Sequence, residues 1–155
     1  MNMDIEYIQG DVELLHEVGL LWEKLNEHHK NNSKHFKEKY SKFTFEDRKK
    51  GLIKKSANGK LKIYMAKILN EVVGYCISSI NDENVGEIES IYVEPKFRSF
   101  RIGDKLITSS LKWMDESKVS SKIIGVSAGN EKVFGFYERY GFYPSVTILK
   151  RPLER

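Results

Sequence analysis

Three apolar runs stand close together in the middle of this chain, at residues 61–69, 72–80 and 85–93. Each has the length and the Ile, Val and Tyr content of a strand. Only Asn70-Glu71 and residues 81–84 separate them. Connections that short join antiparallel neighbours, whereas a parallel pair needs a crossover of a dozen residues or more. The runs therefore predict an antiparallel meander, and the rest of the chain must pack around it. Pro95 ends the third run, because it brings no N–H to a ladder.

Before the meander, residues 5–9 can form a short strand. Leu14, Leu15, Val18, Leu21, Trp22 and Leu25 then fall at helical spacing, which predicts one helix over 12–28 with Asp11 as its N-cap. Residues 31–43 are polar and irregular, a loop or a short helix. Thr44 followed by Asp47 resembles a capping box and starts a helix to about residue 56, and Asn58-Gly59 marks a turn. After the meander, residues 103–117 read as a helix with Leu106, Ile107, Ser110, Leu111 and Met114 facing inward. A strand over 122–127, a helix over 131–140 stopped by Gly141, and a last strand over 143–150 follow. Two strands joined through a helix run parallel with a right-handed crossover. The expected fold is α/β (α+β): a mixed, mostly antiparallel central sheet with helices on both faces and one β-α-β unit. Its 155 residues suit a single domain, 1–155.

Composition narrows the function classes. Cys76 is the lone cysteine, so no disulfide or cysteine-based metal cluster is expected, and it reads as a packed strand residue. His16, His28, His29 and His35 match no ligand spacing, so no metal is expected. No apolar run approaches the roughly 20 residues that span a bilayer. Asp4 and Glu6 stand where a basic-then-apolar signal would begin, so a cytoplasmic location is expected. The net charge of +4 is uneven: residues 1–29 carry −6 and residues 30–62 carry +9. That basic segment could attract an acidic acceptor, phosphates or nucleic acid, or its charges could pair with the acidic first helix.

The stretch 87–117 joins a strand, a tight loop and the start of a helix. The first turn of a helix presents unbonded N–H groups and a partial positive charge, which suits an anion. Gly103 has no side chain to keep a ligand off the backbone, and Arg98, Arg101, Lys96 and Lys105 bring positive charge.

Arg98-Ser-Phe-Arg-Ile-Gly103 resembles the Arg/Gln-x-x-Gly-x-Gly/Ala motif of the GNAT superfamily of acyl-CoA N-acyltransferases. Asn130 with Phe136-Tyr137 and Gly141-Phe142 resembles the same family's later signature. The resemblance is strong over 61–142, which would form the cofactor-binding core, and weak over 1–60. It departs at Arg101, which stands where the motif's first Gly is usual; a positive φ there would strain Arg by about 1 kcal/mol.

The resemblance implies acetyl-CoA as co-substrate and direct attack of a primary amine on its thioester. Backbone groups of Ile91 and Val93, flanking Tyr92, would bond the pantetheine arm. The pyrophosphate would rest on N–H groups of Arg98, Ser99, Phe100, Arg101, Ile102, Gly103 and Asp104, and Asn130 would also touch the arm. Tyr137 would protonate the leaving sulfur; a packed aromatic is the alternative. The base would be Glu89 or Glu87, which share one strand face about 13 and 20 Å from Val93, or a chain of waters. A small-molecule amine or a protein or peptide amine would be the acceptor, and a homodimer is one arrangement the family adopts. A silent acyl-CoA-binding module and a basic nucleic-acid-binding protein are the rival classes.

Overall fold

The computed structural model describes residues 4–152. Five strands lie in chain order in one sheet: β1 (Glu6–Gly10), β2 (Lys60–Ile68), β3 (Glu71–Ile80), β4 (Val85–Val93) and β5 (Ser121–Ile124). The first four are antiparallel neighbours, and β5 runs parallel to β4. The meander and the crossover thus form as expected. The β2–β3 turn is Leu69-Asn70, with φ of 51° and 67°. Two left-handed residues make a turn whose twist matches that of its strands.

Helices cover both faces. On one side, α1 (Gly19–Asn32) and α3 (Phe45–Asn58) close over Tyr75, Ile77 and Tyr92, with α2 (Lys37–Lys42) between them in sequence. On the other, α4 (Ile102–Glu116) buries Ile102, Leu106, Ile107, Ser110 and Met114, and this side holds Cys76, Ile88 and Val93. Both halves of the Thr44–Asp47 capping box are made, so α3 starts where the sequence indicates. A short α5 (Phe134–Glu138) follows a 3₁₀ turn.

Three expectations are corrected. The single helix over 12–28 is a 3₁₀ turn (Val12–Glu17) and then α1, with the break at Val18. Gly19, a poor helix residue, follows the break. A Cβ there would press on the Phe45 ring at 3.1 Å, so its absence admits α3 to the junction. Residues 143–150 form no strand: Tyr143, Val146, Ile148 and Leu149 are 70–91% exposed. No strand lies beside them among the described residues, and Pro144 removes a ladder donor. Finally, the basic segment makes no ion pair with the acidic first helix among the described residues. Its ion pairs run to Glu38, Glu87 and Glu89 instead.

Candidate active site

β4 and β5 pair only over Val85–Ile88 and Ser121–Ile124, then part. The edge of β4 beyond Ile88 is therefore open toward the β5 side. Which residues address that edge follows from the ladder. The Glu94 N–H donates to Val73 O, so this opposed pair is a hydrogen-bonded one. Antiparallel pairs alternate, so Tyr92 opposite Tyr75 also bonds to β3, whereas Val93 opposite Gly74 and Ile91 opposite Cys76 turn their N–H and C=O groups outward. The Val93 carbonyl accepts from Arg98 Nε at 2.9 Å, consistent with that direction. Tyr92 contributes its ring to the core beneath α1 and α3, stacked by the Arg98 guanidinium at 5.4 Å.

A β-bulge re-aims the middle of β4. Ile77 faces Ser90 and Ser78 faces Ile88, so Glu89 is the extra residue. In a regular strand Glu89 would share a face with Ile91 and Val93, on the α4 side. The bulge instead turns it with Ser90 toward α1 and α3. There its side chain is 1% exposed. Its carboxylate accepts from Arg48 Nη2 at 3.2 Å, Lys55 Nζ at 2.6 Å and Ser79 Oγ at 2.6 Å. Arg48 also donates to the Glu89 carbonyl at 2.7 Å. Glu87 lies on the same side, 3.7 Å from Lys55. Burial, and then the charge of Glu89, push its carboxyl above the usual range.

Glu89 floors a cavity of about 280 Å³ between α1, α2 and the parted strands. Asn130 and Tyr137 line it; Glu87 does not. Tyr137 is 8% exposed, and burial, reinforced by Cys76 nearby, drives its phenol far above the ordinary range, so it holds its proton at neutral pH. The roof is tied to the floor at several points. Tyr40 donates to Ser127 Oγ at 3.1 Å, and His28 Nε2 meets Asn130 Oδ1 at 3.2 Å. Gly129, at φ +100°, lies so close to Asn32 O that a Cβ would fall 2.1 Å from it. His29 also lines the cavity; burial lowers its pKa to about 4, so it is neutral, and its Nδ1 is buried without a partner.

The loop before α4 is a 3₁₀ turn (Pro95–Phe100) that ends on Arg101 at φ 58°, ψ 26°. A right-handed turn followed by a left-handed residue aims successive N–H groups into one concavity, an anion nest. It feeds the first turn of α4, whose N–H groups lack intrahelical partners. A Cβ on Gly103 would meet the Phe136 ring at 3.6 Å, an ordinary packing contact. Asp104 puts a carboxylate in this turn, but Arg139 (2.6 Å) and the Tyr140 hydroxyl hold it. Ser99 and Phe100 lie exposed on the loop.

The Acetyltransferase (GNAT) family model matches residues 22–142, well over half of the chain. The chain belongs to the GNAT acetyltransferase family. As a member it is an N-acetyltransferase, and its mixed sheet is that of the family's solved structures. The aminoglycoside N-acetyltransferase AAC(6')-Iy, in complex with CoA, superposes with a TM-score of 0.68 at 14% identity, over 100% of this chain and 98% of that one. The PaiA N-acetyltransferase from Thermoplasma acidophilum, in complex with coenzyme A, gives 0.71 at 20% identity over 94% of each chain. Ribosomal-protein-alanine N-acetyltransferase from Brucella melitensis biovar Abortus 2308 gives 0.66 at 15%, over 97% of this chain and 100% of that one. Identities this low carry the fold and not the acceptor. No curated protein matches the sequence.

Reading the sequence alone missed Arg48, Lys55, Ser79, His29 and Tyr40. A signal was present for two of them. Arg48 and Lys55 flank the buried Leu52 at i−4 and i+3, so one face of α3 carries both cations inward.

Proposed function

We propose that the chain transfers an acetyl group from acetyl-CoA directly to a primary amine in the cavity floored by Glu89. The observation that carries this reading is the placement of Tyr137, Glu89 and the open edge of β4 around one cavity, with an anion nest at the head of α4. The outward groups of Ile91 and Val93 suit the pantetheine arm, and the nest with Gly103 and Arg101 suits the pyrophosphate. Bound there, acetyl-CoA supplies the acyl group as a thioester open to attack.

The chain's own groups handle the protons. Glu89 is the carboxylate that lines the cavity, so it accepts the amine's proton. Arg48, Lys55 and Ser79 hold its carboxylate; as it takes up the proton, Lys55 gives one of its own protons to the half-exposed Glu87 and recovers one from Glu89. Tyr137 gives its phenol proton to the sulfur as the C–S bond breaks. The Ile91 N–H faces the edge where the carbonyl oxygen gains charge, and such a donor favours the transition state. Cys76 is buried, and burial pushes its thiol up to about 11, so it does not serve as a covalent relay.

Tyr137→Phe tests the acid role. General acids contribute about 10²–10⁴-fold, so kcat falls by about 10² or more while acetyl-CoA affinity stays within twofold. An unchanged kcat removes Tyr137 from the mechanism.

A further inference from the structure

The cavity's charge and lining bear on what the amine carries with it. Glu89 is its carboxylate among the lining residues, and Arg48, Lys55 and Ser79 already occupy it. Two cations line the cavity beside it, Arg48 and Lys39, the latter with Nζ 5.3 Å from the Tyr40 ring centre. Lys39 is exposed and makes no ion pair among the described residues. The remaining walls mix apolar and aromatic side chains with the uncharged polar Asn26, Ser90, Ser127 and Asn130. Trp22 and Phe43 meet edge to face at 5.5 Å, and Tyr40 stacks on His29 at 5.8 Å. His29 is neutral, with one ring nitrogen unpartnered.

We infer that the acceptor is a small amine bearing a carboxylate and an apolar body, of the class of a free aromatic or aliphatic α-amino acid, and not a polycation. The inference rests on the acetyl-transfer reading above. A polycation would bring several ammonium groups to a cavity that offers them no uncommitted carboxylate and faces them with Lys39 and Arg48. A carboxylate on the acceptor gives Lys39 its missing counter-charge, and the aromatic walls cover the acceptor's apolar part. The same positive surroundings favour the neutral form of the attacking amine, which is the form with a lone pair. At about 280 Å³ the cavity has the scale of a small-molecule site.

Three acceptors test this with acetyl-CoA and a thiol readout: L-phenylalanine, phenethylamine (the same body without the carboxylate) and an aminoglycoside. We expect kcat/KM for L-phenylalanine to exceed that for phenethylamine at least tenfold, and the aminoglycoside to give no rate above buffer. Lys39→Glu should cut the preference for the carboxylate at least fivefold, with an unchanged melting temperature as the folding control. Equal rates with and without the carboxylate, preference for the aminoglycoside, or an undiminished preference in Lys39→Glu would each overturn the inference. If no amine releases thiol, the acetyl-transfer reading fails, and binding to the CoA-loaded protein decides the acceptor class alone. N-acetyl-L-phenylalanine binding at least tenfold tighter than N-acetylphenethylamine upholds it; equal binding overturns it.

Discussion

At the residue scale, Arg101 sits in the left-handed region at φ 58°, where a side chain costs about 1 kcal/mol relative to glycine. Its place beside the nest suggests why the strain is tolerated: it buys a charge next to the expected pyrophosphate. Arg101→Gly should raise the melting temperature of the ligand-free protein by about 1–4 °C and raise KM for acetyl-CoA. A lower melting temperature would contradict the strain. His29 makes a second prediction. Its folded pKa of about 4 lies below the ordinary 6.5, so the unfolded chain binds the extra proton between those values. Stability is therefore full above about pH 6.5 and declines as pH falls toward 4. His29→Gln removes that part of the slope in denaturant titrations across the window. An identical slope in the variant would show that His29 is not its source.

Among elements, the tie between α3 and β4 carries the most. The bulge turns Glu89 under α3, and the capping box sets the phase that brings Arg48 and Lys55 to it. Losing one member of a buried ion pair costs about 3–5 kcal/mol. Lys55 still reaches water, being 45% exposed, so Glu89→Gln should cost nearer 2 kcal/mol, or about 4–8 °C in melting temperature. Added to Arg48→Gln, it should cost less than the sum of the two, because each removes the same contact. Strict additivity would mean that the pair is not coupled.

On the scale of the whole molecule, the sheet order was legible because each separator in the meander is too short for any connection but a hairpin. Residues 98–103 announced the loop before α4, and Gly141 stands just past the short α5 as a stop. Other features were not legible, for physical reasons. A bulge changes no composition, so period-two reasoning placed Glu87 and Glu89 together without showing that they leave the face of Ile91. Residues 143–150 carry a strand's apolar pattern, but a strand needs a neighbour, and pattern alone does not supply one. Arg48 reaches Glu89 across 41 residues of sequence, and His29 matters through its place in the cavity wall; no local signal encodes either. The charge imbalance between residues 1–29 and 30–62 was real; that Arg48 and Lys55 of the basic segment meet β4 carboxylates was not visible until the sheet was assembled.

The central claim is that this cavity moves an acetyl group from a thioester to an amine. Its most direct test is the release of free thiol from acetyl-CoA as amine concentration is raised. The account predicts a saturable release that requires both reactants, yields one acetylated amine per thiol and falls about 10²-fold or more in Tyr137→Phe. Tight acetyl-CoA binding with no thiol above spontaneous hydrolysis, whatever amine is offered, would contradict it.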